Sequence, residues 1–305
     1  MTRVYEASRR ASVPTTPDAL PLSTSGADGS SIANESAFDR FAAEAHPVID
    51  GPSSTLRDPV VPTAPSITPR RVALFSSPTP LPSAARLLDS KLIARGEMLP
   101  AQVEQYRRLS AALQELQDRS RWPGQSAVER GLKTVLVTSA LPREGKTLTV
   151  VNVACALSDF VGRRVLVIDA NLCSPSIHEM LGLPNVLGLG DILSSRAQEV
   201  PLQQVSPLVS VLPAGHCVPD LTRELTSNRM RALLDEWSSR FDWVLLDAPS
   251  VQLLPDPQQL ARVARAVLLV IGSGSTPVSV IDKAASALGR GSIIGTVLNR
   301  VDGAA

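Results

Sequence analysis

The sequence predicts an α/β fold: a parallel β-sheet flanked by helices on both faces, preceded by a disordered N-terminal segment. Three observations point there. From Leu132 onward, short β-branched-rich runs alternate with helical spacings. One turn between them, "TSALPREGKTLT", is built like a phosphate-gripping loop. Two of the runs end in an aspartate, Asp169 and Asp247.

Residues 1–69 are rich in Pro, Ser, Thr, Ala and Asp, as in "SVPTTPDALPLSTSGADGSSIANES". Such a segment buries too little apolar surface to offset its ordering entropy, so it reads as a mostly disordered tail. Within it, "RVYEASRRA" reads as a short helix. The net charge of +1 gives no bulk electrostatic case for nucleic acid or an acidic membrane surface. No apolar run approaches the roughly 18 residues of a membrane span, and "MTRVYEASRR" lacks the apolar centre of a signal peptide. The expectation is a cytoplasmic chain without direct membrane insertion, meeting the membrane only through a partner. The three cysteines, Cys155, Cys173 and Cys217, fit no metal spacing, and so sparse a count suits a reducing compartment. They read as reduced packing residues. His46, His178 and His216 are scattered, and none reads as a ligand.

Residues 70–131 form a lead-in. "RRVALFS" reads as a short strand. "PAQVEQYRRLSAALQELQDR" is rich in helix formers, and Val103, Tyr106, Leu109, Leu113 and Leu116 fall at three- and four-residue steps that make one apolar face. "RWPGQ" ends it. Residues 132–305 form the main domain. Its strands are "LKTVLVT", "RRVLVID", "LVSVLPAG", "DWVLLDAP", "RAVLLVIG" and "IIGTVLNRV", runs apolar enough to be buried on both faces. Between them, Met230, Leu233, Leu234 and Trp237 keep helical spacing, as do Ile281, Ala284, Ala285 and Leu288. Thr276-Pro277 reads as N-cap and first residue of the latter helix. Strand–helix alternation of this kind argues for a parallel sheet covered on both faces.

The phosphate-loop template is G-x-x-x-x-G-K-[ST] between a strand and a helix. Gly145, Lys146 and Thr147 match it, and Ala140 stands at the first glycine. The setting fits a P-loop NTPase: "LKTVLVT" leads in, and "LTVVNVACALSDFV" leads out as a helix apolar nearly all round. Each residue has a reason. Gly145 lets the backbone approach phosphate, and the amides of Glu144 to Leu148 point at the anion. Lys146 neutralises β/γ charge, and Thr147 offers a hydroxyl to Mg²⁺. Pro142 and Arg143 complete the loop. Asp169 and Asp247, at strand ends where α/β sheets bind ligands, add two carboxylates near one Mg²⁺.

At these residues the chain resembles the bacterial tyrosine kinases of capsule and exopolysaccharide synthesis, the CpsD/CapB type, within the MinD/ParA-like P-loop ATPases. The resemblance spans Glu104 to about Asp302, and "HEMLGLPNVLGLGDIL" is its most specific piece. It implies ATP and Mg²⁺ as ligands, a homo-oligomer, and a transmembrane polysaccharide chain-length regulator as partner. Carried over, Lys146, Asp169 and Asp247 are catalytic, with Asp169 activating or orienting the attacking hydroxyl. Thr147, Asp169 and Asp247 form the metal site. Asn299 and Arg300 touch the adenine, and Glu104 and Arg107 open the ring-interface motif E-x-x-R-x-x-R.

The chain also departs from the family pattern. Asn171 replaces the second Asp of Asp-x-Asp, which removes a negative charge. Cys173 and Ser174 stand where arginines usually follow. Arg143 replaces a small residue, at a cost on the order of 1 kcal/mol if the position needs φ > 0. Ser110 replaces the last interface arginine, with Arg108 available instead. The family's C-terminal tyrosines have no counterpart in "VLNRVDGAA"; the sequence holds only Tyr5, on the tail, and Tyr106, read as a core residue. Two alternatives therefore stand beside a kinase. One is a degenerate ATP-binding adaptor of the same family. The other is a positioning ATPase of the MinD/ParA type, although Leu141 sits where those carry an extra lysine.

Overall fold

A computed structural model describes residues 3–5, 79–80, 92–93, 96, 98–120 and 132–301. They belong to the compact unit made of Met1–Ser8 and Arg71–Ala305. The expected strand at 70–76, the breaker at 121–125, His46, Asp302 and most of the Pro/Ser-rich tail lie outside the described residues.

All six expected strands are present: β3 (Thr134–Ser139), β4 (Val165–Asp169), β6 (Val209–Leu212), β7 (Trp243–Asp247), β8 (Val267–Gly272) and β9 (Ile293–Asn299). They are joined by β1 (Arg3–Tyr5), β2 (Thr79–Pro80) and β5 (Gln203–Ser206). Among the described residues the sheet has nine strands in the order β1-β9-β8-β3-β7-β4-β6-β5-β2. The core from β9 to β6 is parallel throughout.

Two edges differ from the expected parallel sheet. β5 runs antiparallel to β6, because its short link reverses the chain directly. Its sequence, "QQVS", lacks the apolar run that marks a buried strand. β1 pairs antiparallel with β9, with Arg3 opposite Leu298 and Tyr5 opposite Thr296. Residues 3–5 are therefore strand and not the helix expected there: an exposed sheet edge offers ladder bonds that local helix propensity does not outweigh.

Side chains alternate across each strand, so the buried runs feed two cores. On one face Val135, Val137, Val165, Val167, Leu245 and Val270 pack under α1 (Pro100–Arg119) and α2 (Lys146–Val161). On the other, Leu136, Leu166, Ile168, Leu246 and Leu269 pack under α6 (Asn228–Arg240) and α7 (Asp256–Ala264). Helix α1 has the span read from the sequence and buries Tyr106, Leu109 and Leu113, with Val103 and Leu116 half-buried at its margin. Tyr106, 3% exposed, is a core residue. On the outer side of α1, Glu104 accepts from Arg107 Nε (2.7 Å) and Arg108 Nε (2.9 Å), and the two guanidiniums hold its carboxyl down to about 2.

Helix α8 (Val278–Leu288) buries Ala284, Ala285 and Leu288 as its spacing requires. Its start corrects the sequence reading. Pro277 is the N-cap, with no side-chain cap bond. Thr276 is not a cap: its hydroxyl donates to the Glu144 carboxylate, a stronger, charged acceptor.

Candidate functional site

The loop 140–146 joins β3, in the middle of the sheet, to α2. Gly145 is the N-cap of α2 at φ 92, the left-handed region that favours glycine. A Cβ there would collide with Asn299 Nδ2, so the glycine also serves a close approach. Arg143 has φ 61, so the loop does carry the left-handed strain that its sequence raised as a condition, about 1 kcal/mol.

The loop is held from outside by four contacts that sequence reasoning missed. Glu144, buried, accepts from Leu141 N (2.7 Å) and from Gly272 N at the end of β8 (2.8 Å), as well as from Thr276. Asn299 Nδ2 donates to Glu144 O (2.9 Å), and the Arg300 guanidinium donates to Arg143 O. Asn299 and Arg300, assigned to adenine by resemblance, thus bind the loop backbone in this structure. Glu144→Gln places an amide donor against a backbone N–H. It should cost about 1.5–3 kcal/mol, the scale of a hydrogen bond to a charged group. Urea denaturation checks this; an unchanged midpoint would show the carboxylate is dispensable to the loop.

At the C-terminal edge of the sheet, β4 and β7 are neighbours in register, with Asp169 directly opposite Asp247. Thr147 Oγ1 donates to Asp247 Oδ2 (2.7 Å). Having spent its one proton there, it accepts from Ser176 Oγ at 3.0 Å. Asp169 accepts from Asn171 N (3.2 Å), Ser176 N and Ile177 N (3.1 Å each), so the loop after β4 wraps around its carboxylate. Both carboxyls are pushed above the ordinary carboxylate range. Burial is the main cause for each, with the charge of Asp169 adding to Asp247 and the backbone donors partly restoring Asp169. Burial also lowers Lys146, against the pull of Asp247 and Glu144. Asn171 has a local task as well: its Nδ2 donates to Ser174 O at 2.6 Å, a bond an aspartate could not make.

Residues Lys146, Thr147, Asp169 and Asp247 are thus brought together, with the loop amides of 144–148 at the start of α2. The "GLGDIL" piece lies elsewhere along the same edge. Asp191, buried in α4 (Leu189–Leu193), accepts from Gly188 N (2.9 Å) and His216 N (3.2 Å) and pairs with His216 Nδ1 (2.7 Å). It ties α4 to the loop after β6, and Gly215, at φ 69, leaves room for that carboxylate. The cysteines need a correction. Cys155 is buried and packs in the core, but Cys173 and Cys217 are exposed and meet each other. They sit on loops, where an apolar-packing argument does not apply.

Fold and site together define a phosphate-loop α/β protein. No protein-family model matches the sequence. The chain is 35% identical over 179 residues to tyrosine-protein kinase YwqD of Bacillus subtilis, covering 57% of this chain and 75% of that protein. It is 27% identical over 181 residues to the putative tyrosine-protein kinase CapB of Staphylococcus aureus, covering 58% and 78%. Among solved structures, the chimerical protein CapA2B2 superposes with a TM-score of 0.61 at 22% identity, covering 70% of this chain and 91% of that one. The BceF tyrosine kinase domain gives 0.52 at 26% identity, covering 63% and 73%. The chain belongs to the bacterial tyrosine-protein kinase family of the CapB type.

Proposed function

We propose that this protein binds Mg-ATP and transfers its terminal phosphoryl group to protein tyrosine, in the control of capsular or exopolysaccharide synthesis. It works at the inner face of the membrane, as a homo-oligomer, with a transmembrane chain-length regulator. Among the described residues no helix is long and apolar enough to cross a membrane, so the regulator would supply that contact. The observation that carries the reading is the Asp169–Asp247 pair beside Thr147 at the mouth of the loop. Asp247 Oδ1 is buried with no hydrogen-bond partner, and a second carboxylate faces it. Such a pair is costly unless a cation is shared, so the donor set fits a hard divalent ion.

In this reading Thr147, Asp247 and Asp169 hold the magnesium ion, which when bound neutralises phosphate charge. The backbone amides of residues 144–148 cradle the phosphates, and Lys146 sets an ammonium against the charge that develops on the transferred group. Asp169, held by the loop that follows β4, accepts or orients the proton of an incoming hydroxyl. Arg143 and Pro142 shape the loop, and Leu148 closes it on the helix side. Asn299 and Arg300 set the loop from the last strand and flank the side on which the base would lie.

Tyr106 is buried, so within this sequence only Tyr5 remains as an acceptor, and other proteins must supply the rest. The test is incubation with Mg-ATP and a Glu/Tyr copolymer, with detection by anti-phosphotyrosine antibody. Phosphotyrosine on the copolymer is expected. ATP binding without any phosphotyrosine would favour the second reading, a nucleotide-binding adaptor. The observation behind that reading is Asn171, which lacks the family's charge and spends its amide on Ser174.

A further inference from the structure

We infer that Cys173 and Cys217 form a reversible thiol–disulfide couple that clamps the loop after β4 to the loop after β6. The Sγ atoms lie 3.0 Å apart, on residues 44 positions apart in sequence. Forming a bond of about 2.05 Å asks for a shift of about 1 Å between two surface loops. Both residues are exposed. Both line a cavity of about 440 Å³, together with Val218, Thr222 and Asp256, wide enough for a small oxidant. β4 and β6 are adjacent and parallel, so both loops leave the same edge of the sheet.

The two loops are unequal. The Cys217 loop is fixed, because the preceding residue, His216, bonds Asp191 through both its backbone N and its ring. The Cys173 loop is held by the Asn171–Ser174 bond and by its amides on Asp169. A cross-link would therefore pin the second loop to the first. The Cys173 thiol is pushed up to about 11, by its hydrogen bond to Cys217 and then by burial, so it serves as the resolving sulfur.

The step needs an oxidant of the peroxide class. The Cys217 thiolate attacks one peroxide oxygen; the O–O bond breaks, and the departing hydroxide takes a proton to leave as water. The Cys173 sulfur then attacks the sulfenic sulfur, its proton leaves with the second oxygen as water, and the S–S bond forms. Two thiols lose two electrons, and the peroxide gains them. A dithiol reductant reverses the step. The consequence for phosphoryl transfer rests on the role of Asp169 proposed above, since the pinned loop supplies its backbone donors.

The test uses the full chain freed of reductant and treated with hydrogen peroxide. Free thiols should fall from three to one. A peptide linking Cys173 to Cys217 should appear, two hydrogens lighter, and dithiothreitol should restore both thiols. Amide exchange across residues 170–177 should slow by about tenfold in the oxidised form, as local opening is restrained. C173S and C217S should each abolish the linked peptide and the slowing. Separate sulfinic acids, disulfides only between chains, or a linked peptide with unchanged exchange would overturn the proposal. A linked peptide with slowed exchange, in a chain that transfers no phosphate even when reduced, would keep the couple and remove the kinase reading.

Discussion

Lys146→Met is expected to lower ATP turnover and tyrosine phosphorylation by about 10²–10³-fold, the scale of losing one preorganised charge on a transferring group. The fold should survive. Lys146 is half-buried, and burial already disfavours its ammonium, so an apolar side chain of similar length costs little stability. The measurement is steady-state phosphoryl transfer beside a thermal melt of the ligand-free chain. Turnover within about threefold of wild type would mean that the loop does not place this lysine on the phosphates, since a transition-state charge contact cannot be so cheap to remove.

Asp247→Asn should act on stability and turnover in opposite directions. Burial and the neighbouring Asp169 raise Asp247 above its unfolded value. A carboxyl raised in the folded state contributes fully below its unfolded value of about 3.9. That contribution is lost as pH rises from there through the folded-state value. The ligand-free wild type therefore carries a penalty at pH 8 that the variant lacks. The amide keeps an acceptor for Thr147 and sets no charge against Asp169. A gain of about 2 kcal/mol would raise Tm by roughly 4–8 °C in a domain of this size. Magnesium should raise the Tm of the wild type at pH 8 and leave the variant unmoved, while Mg-ATP turnover falls by about 10²-fold or more. A variant less stable than wild type at pH 8, still responding to magnesium, would show that Asp247 is a plain structural acceptor.

The fold was legible because burial writes itself locally. The span of α1, the six core strands and the juxtaposition of Asp169 with Asp247 all follow from periodicity and from the strand-end rule. What stayed hidden is either long-range or polar. Glu144 meets Gly272 across 128 positions, and no local pattern announces that pairing. Thr276 looked like a helix cap because its neighbours allow one; tertiary structure offered a carboxylate instead. Strand β5 carries polar residues at a sheet edge, where no buried run is needed. Cys173 and Cys217 are brought together only by the strand order, which composition cannot give.

The bond from Asn299 to the carbonyl of Glu144 spans 155 positions, and it has a consequence for biosynthesis. A ribosome adding about 5–20 residues each second needs on the order of 8–30 s to travel from the loop to its clasp. During that interval the nascent chain holds its glycine and lysine but lacks the strand that fixes them. A half-made polypeptide thus carries the loop without its clasp until translation has passed the last strand's end.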